Sequence, residues 1–157
     1  MKKRIIIAAL LAVALCALAA CGGTTRVEVW RPVSEYYLSG GAAVETESVK
    51  VDGSLGEIDA AVAAFNTSPN DNRYTRALPD GIDVLGWALE DGELRLDVSA
   101  EYASLSGWRR SIADCCAVLT FCAIEGVDSV SIYSGDTMLS DARGPSSIVL
   151  EDSAGLE

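Results

Sequence analysis

IDVLGWALEDGELRLDVS, residues 82–99, predicts a β-hairpin whose register follows from its own turn. Asp91-Gly92 is a typical two-residue hairpin loop, because a type I′ turn needs positive φ at both central positions. A loop at these residues gives four facing pairs: Glu90 with Glu93, Leu89 with Leu94, Trp87 with Leu96, and Leu85 with Val98. The apolar side chains of these pairs then share one face, and a slip of one residue would turn them to solvent. We therefore expect that face to pack against the core.

A first helix is predicted on the N-terminal side of the hairpin. Ser54-Leu55-Gly56-Glu57 has the form of a capping box, in which the serine and the glutamate satisfy backbone N–H groups at the helix start. An apolar stripe follows at spacings of three and four residues: Leu55, Ile58, Val62 and Phe65. The helix is expected to end at Asn66-Thr67-Ser68-Pro69. Residues 67–81 then form a polar loop, and a loop of this length is commonly functional or mobile.

A second helix is predicted after the hairpin, beyond a short connector at residues 101–105. Its apolar stripe repeats at spacings of four and three residues: Trp108, Ile112, Cys115, Leu119 and Cys122. This stripe buries Cys115 and Cys122 and leaves Cys116 at its margin, where that thiol could be reached. Gly126 is expected to close the helix in a left-handed conformation, with Val127 packed over the last turn.

The remaining apolar segments predict strands. They lie at Val27–Leu38, with a break at Pro32, at 44–51, and at 129–133, where Val130 and Ile132 alternate with polar residues. The order strand, helix, hairpin, helix, strand predicts an α+β two-layer sandwich of the β-α-β-β-α-β type, with two helices on one face of a mostly antiparallel sheet. We expect a single domain over residues 27–136 and a loosely held acidic tail over 137–157.

The first twenty residues have the pattern of a secretory signal peptide. Met1-Lys2-Lys3-Arg4 is basic, an apolar run follows, and small residues lead to Cys21. The sequence LAAC resembles a bacterial lipobox, in which Cys21 receives diacylglycerol on its sulfur and becomes the mature N-terminus. Residues 21–26 would then be a lipidated tether, and the chain an extracytoplasmic protein anchored to the cell membrane. The alternative is an ordinary signal peptide with a coincidental cysteine.

Composition argues against several functional classes. The chain has 23 acidic and 12 basic residues and a net charge of −11, which disfavours nucleic acid as a partner. It contains no histidine, so there is no imidazole base and no Ser-His or Cys-His pair. Phosphate-binding and dinucleotide-binding glycine motifs are absent from the sequence. We therefore expect no catalytic residues, no metal ligands and no cofactor.

Several segments, in order, resemble the GerM-like sporulation and spore-germination domain. They are Tyr36-Tyr37-Leu38, the helix end at Ser68-Pro69, Leu78-Pro79-Asp80-Gly81, residues 96–102, Ala117-Val118-Leu119-Thr120, and residues 126–130. The resemblance covers roughly residues 36–136 and rests on the order and spacing of these segments. It implies the same α+β fold and a lipoprotein, and it brings no established catalytic residues. The family commonly has Gly-Pro where this chain has Ser68-Pro69.

Two functions remain open from the sequence. The first is a non-enzymatic envelope lipoprotein that docks on another protein, through a free sheet edge or the 67–81 loop. The second is a lipoprotein that binds a small molecule or a cell-wall fragment. A single domain of this size has no two-lobed cleft, which favours docking. The sequence leaves the partner and the oligomeric state open.

Overall fold

The computed structural model describes residues 23–35 and 41–148. The elements in chain order are β1 (Thr24–Pro32), β2 (Val44–Asp52), α1 (Glu57–Asn66), β3 (Val84–Glu90), β4 (Glu93–Val98), α2 (Gly107–Phe121), β5 (Ser129–Ser134) and β6 (Thr137–Arg143). Short 3₁₀ helices lie at Ala100–Ser104 and Pro145–Ser147. The signal peptide, Cys21, residues 36–38 and the end of the tail lie outside the described residues.

The strands form two sheets. β1 and β2 make an antiparallel pair, and the second sheet has the order β3-β4-β5-β6. Within that sheet β4 and β5 are parallel and the other neighbours are antiparallel. Both helices contact β1, while α1 also contacts β2 and β3, and α2 contacts β5. The predicted α+β class and element order are confirmed, and the structure adds that the first two strands form a sheet of their own.

The central hairpin follows the predicted register except at its open end. Glu90 faces Glu93, and the Leu89–Leu94 and Trp87–Leu96 pairs form as expected around a turn in which Asp91 has φ +49°. The predicted pairing of Leu85 with Val98 is wrong, because a bulge at Leu85 brings Val84 opposite Val98.

The two strands of the hairpin differ in how far they bury the six apolar side chains that were predicted to share one face. On β4, Leu94, Leu96 and Val98 are at most 2% exposed. On β3, by contrast, Leu85, Trp87 and Leu89 are 68%, 41% and 38% exposed. The expectation that all six side chains pack in the core is therefore wrong for β3. The physical reason is its position as the outermost strand, where the helices cover it only in part.

Helix α1 begins at Glu57 with Gly56 as its N-cap, and the capping box does not form. Ser54 instead donates its hydroxyl to Asp52 Oδ1 at 2.8 Å, within the turn that precedes the helix. Leu55 lies outside the helix and is 40% exposed. The side of α1 that packs in the core consists mainly of small residues: Ala60, Ala61, Ala64 and Phe65.

Helix α2 buries a different side from the predicted one. Cys116 is completely buried, while Cys115 and Cys122 are half-buried, so the predicted exposures of these thiols are wrong. The buried side also contains Phe121, whose ring centroid lies 5.4 Å from that of Phe65 in α1. Neighbouring residues on a helix differ by about 100°, so this aromatic contact turns the buried face by roughly one residue. The helix ends at Phe121, before Gly126.

The domain extends beyond both predicted boundaries. β1 begins at Thr24, so the predicted tether over 21–26 is wrong for its last three residues. β6 pairs with β5, so the predicted loose tail is wrong for residues 137–143. The signal for β6 is Gly135-Asp136, a two-residue hairpin loop in which Gly135 has φ +57°.

Candidate docking surfaces

Metal binding has no candidate site in the part of the chain that the structure describes. In residues 23–35 and 41–148, no group of three or more His, Cys, Asp or Glu side chains could hold a metal ion. Burial raises the pKa of the Cys115, Cys116 and Cys122 thiols, which keeps them protonated and weakly nucleophilic. The buried charged groups form ion pairs and hydrogen bonds that hold elements of the fold together.

Arg31 and Glu47 form a buried ion pair between β1 and β2. Arg31 Nε lies 3.2 Å from Glu47 Oε2, and the two side chains are 0% and 7% exposed. The guanidinium also donates to the carbonyls of Ala64 and Phe65 at the end of α1, at 3.0 and 3.1 Å. Burial lowers the pKa of Arg31, and the neighbouring Glu47 carboxylate opposes that shift. The pair therefore connects the first sheet to the C-terminal end of α1.

Glu47 also fixes the start of the 67–81 loop. Its second carboxylate oxygen, Oε1, accepts hydrogen bonds from the backbone N–H groups of Asn70 and Asp71, at 2.7 and 3.3 Å. Farther along, Thr75 N–H donates to the carbonyl of Pro32 at 3.0 Å. Tyr74, Ala77 and Leu78 are buried. The loop is thus held against β1 and β2 along most of its length.

A second buried carboxylate, Asp114 of α2, joins three elements. It accepts hydrogen bonds from the Tyr102 hydroxyl and, at 2.9 Å, from the Ser140 hydroxyl of β6. The guanidinium of Arg110 lies 3.4 Å from Asp114 and 4.6 Å from the centre of the Tyr102 ring. Burial, and secondarily the Asp114 charge, raise the pKa of Tyr102. This network stabilises the contact between α2, β6 and the first 3₁₀ helix.

An apolar groove lies where the 67–81 loop passes the start of α2. We call it the Trp108 groove, and its floor is formed by Pro32, Thr75, Trp108 and Ile112. These four residues line both of two adjoining cavities, with volumes of about 420 and 560 Å³. The sequence predicted Trp108 as a core residue, but its side chain is 62% exposed. Trp108 is therefore a candidate docking residue that the periodicity concealed.

Arginine side chains border the Trp108 groove. Arg109 lies 5.8 Å from the Trp108 ring centre, and no carboxylate among the described residues lies within salt-bridge distance of it. Arg76 lines the same groove but is paired with Asp83 and, at 3.7 Å, with Asp80. The lining of the groove therefore combines an apolar floor with charges of both signs, because Glu35 and Asp80 line it as well as Arg76 and Arg109.

A second exposed apolar surface is the β3 strip, formed by Leu85, Trp87 and Leu89. Its central indole is oriented by a hydrogen bond of 2.8 Å from Trp87 Nε1 to Asp59 Oδ1 of α1.

In the described part of the chain, neither α1 nor α2 has the length and apolar character that a membrane crossing requires. Cys21, the predicted lipidation site, lies outside the described residues.

Comparisons with known proteins agree with the fold. The family model described as "Germane: Sporulation and spore germination" matches residues 35–139. The first GerMN domain of the sporulation protein GerM from Bacillus subtilis is 14% identical, with a TM-score of 0.57 over 73% of this chain and 86% of that chain. The tandem GerMN domains of the same protein are 17% identical, with a TM-score of 0.54 over 74% of this chain and 41% of the tandem. A comparison with curated proteins found no match.

Proposed function

The chain belongs to the Germane family of sporulation and spore germination domains, and from this premise we propose that it is a non-enzymatic docking domain of the bacterial cell envelope. In this proposal a lipid on Cys21 holds the protein at the extracytoplasmic face of the membrane, and the domain binds another envelope protein. The resemblance to GerMN domains concerns the fold, and the partner follows from the surface of this chain. The chain spans 41% of the tandem GerM structure, so the function of that whole protein does not transfer directly.

The Trp108 groove is the observation that carries the proposal. Tryptophan and arginine are enriched among residues that dominate binding energy, and they act best in pockets from which a partner excludes water. Here an exposed Trp108 stands beside Pro32 and Ile112, and Arg109 can bind a carboxylate at the rim. The complementary ligand is a protein segment with an apolar or aromatic side chain next to an acidic residue.

A small molecule or cell-wall fragment is the second candidate occupant of the Trp108 groove. The larger cavity has a volume of about 560 Å³, which falls inside the rough 300–1,000 Å³ range of ligand pockets. Both candidates use the same floor, so one variant can test them together.

The test compares Trp108→Ala with Met138→Ala in the full-length protein. Met138 is the matched control, because it is similarly exposed, at 56%, and lies on β6. Each protein is cross-linked in intact cells and purified, and its captured proteins are quantified. In parallel, binding of solubilised cell-wall fragments is measured by titration. If the domain docks on another protein, one captured protein should be lost with Trp108→Ala and retained with Met138→Ala. Saturable fragment binding with no such protein would refute docking.

The anchor is tested separately with Cys21→Ala. Because β1 begins at Thr24, three residues after the proposed lipid site, the domain would start within roughly 10 Å of its anchor at about 3.4 Å per residue. The wild-type protein is expected to stay with membranes after a high-salt wash, and the variant to be released. A variant that still sediments with membranes would show that lipidation does not hold the protein there.

A further inference from the structure

Among the residues that the structure describes, no strand pairs with the outer edge of β3. β3 is the first strand of its sheet, so β4 pairs with only one of its sides. The residues that flank a two-residue hairpin loop exchange hydrogen bonds, so Glu90, Ala88 and Gly86 direct their backbone groups toward β4. By the same alternation, the N–H and C=O groups of Trp87 and Leu89 point away from the sheet. This edge can therefore accept a further strand.

One end of the edge is covered and the rest is open. The side-chain amide of Asn66 donates to the carbonyl of Val84 and accepts from its N–H, both at 2.9 Å, which satisfies the edge at that residue. Beyond the bulge, residues 86–90 are exposed or half-buried. Natural proteins commonly protect such an edge with charged residues, proline or bulges. Here Glu90 and the Leu85 bulge stand at its two ends, and residues 86–89 between them contain neither a charge nor a proline.

The side chains of this segment are apolar and match their own reverse order. Read around Trp87, Leu85 corresponds to Leu89 and Gly86 corresponds to Ala88. An antiparallel pair of such strands would place Trp87 against its own copy and Gly86 against Ala88, and the regular pairing would end where the Leu85 bulge meets Leu89 of the other copy. Such a self-complementary patch is what a two-fold symmetric interface requires.

The charge distribution favours a second copy at this surface. With a net charge of −11, two copies of the chain repel one another over most of their surfaces. Residues 84–89 carry no charge, so a contact confined to them brings no charged side chain of this segment against its copy. We propose that the β3 edges of two copies pair antiparallel about a two-fold axis at Trp87, which extends the four-stranded sheet across both molecules. This interface goes beyond the proposed docking function and does not depend on the Trp108 groove.

A register-specific disulfide tests the proposed interface. In the proposed pairing, Gly86 of one copy lies opposite Ala88 of the other as a non-hydrogen-bonded pair, with Cα atoms about 4.5 Å apart. That separation lies inside the rough 4.4–6.8 Å range that a disulfide spans. A Cβ added at Gly86 meets no atom within 4 Å, and Ala88 is exposed, so neither cysteine should disturb the fold.

Full-length Gly86→Cys and Ala88→Cys chains, with tags of different size, are co-expressed, and their membranes are treated with a mild oxidant. We expect a mixed disulfide between the two variants, about ten-fold more abundant than the disulfide of either variant with itself, because like positions are offset along the strands. The wild-type chain is the background control for the half-buried Cys115 and Cys122.

A second variant tests the apolar contact. Leu89→Lys in both chains is expected to lower the mixed disulfide about ten-fold, because a lysine on an edge strand opposes pairing. Met138→Lys, on β6, is the matched control and should leave the amount of mixed disulfide unchanged. The proposal is overturned if no mixed disulfide forms, if all cysteine combinations link equally, if Leu89→Lys has no effect, or if the linked species contains a different protein.

Discussion

Replacing Arg31 with methionine should destabilise the domain by about 3–5 kcal/mol, the usual cost of breaking a buried ion pair by removing one partner. Among the described residues, the Glu47 carboxylate, 7% exposed, would keep the N–H groups of Asn70 and Asp71 as its hydrogen-bond donors. The carbonyls of Ala64 and Phe65 would also lose their donor, at about 1 kcal/mol or more each if they stay dry. Such a loss is a large part of the roughly 5–15 kcal/mol by which domains are stable.

The assay is urea unfolding of residues 22–157, followed by far-ultraviolet circular dichroism. Arg73→Met is the matched control, because Arg73 forms a pair of similar length with Asp71, at 2.9 Å, but the two side chains are 65% and 40% exposed. An exposed pair contributes about 0–1 kcal/mol, so this variant should unfold close to the wild-type midpoint. If Arg31→Met and Arg73→Met lose equal free energy, the buried pair does not stabilise the fold as the contacts imply.

Three further predictions concern single side chains. Trp87→Ala should cost about 1–2 kcal/mol in the same assay, below the roughly 3–5 kcal/mol of a fully buried aromatic, because Trp87 is 41% exposed; a larger loss would mean that helix α1 covers it more fully. In the native protein, a thiol reagent followed by mass spectrometry should modify Cys115 before Cys116, which is fully buried; early modification of Cys116 would contradict the observed helix face. Burial raises the pKa of the Tyr102 hydroxyl above its ordinary value of 10.0. The free energy that the protonated hydroxyl contributes to folding is therefore complete below about pH 10, and it is lost as the pH rises above that value. Tyr102→Phe should therefore flatten the alkaline decline of the unfolding free energy, and an unchanged slope would refute this.

Local sequence signals predicted the hairpin near its turn. They failed at its open end, where contacts with distant residues determine the strand pairing. Asp91-Gly92 sets the register by its own backbone preference, so the nearest pairs were correct. The bulge at Leu85 lies beside Val84, whose backbone is bonded to the side chain of Asn66 in another element. Side-chain alternation within the hairpin carries no information about that contact.

Helix faces were less predictable, because α2 has two apolar stripes that overlap. Trp108, Cys115 and Cys122 fit a buried stripe by spacing, but the contact between Phe121 and Phe65 selects the neighbouring one. The same choice exposes Trp108 and creates the groove, so the candidate site depends on tertiary packing.

Buried charges were missed for a related reason. Arg31 follows Val29 on the inward face of β1, and this alternation was a usable signal for burial. Its partner Glu47 lies on a different strand, and a single sequence does not pair them. A charged residue in phase with buried neighbours is therefore evidence for a structural ion pair as much as for a mistaken register.

The parallel pairing of β4 with β5 has a consequence for the order of folding. The β3–β4 hairpin closes a two-residue loop, whereas β5 reaches β4 only after residues 99–128, which include α2, have been placed. Because closing a long loop costs entropy before its contacts form, we expect the hairpin to form early and β5 to join late. Until β5 is added, both edges of the hairpin are therefore unpaired.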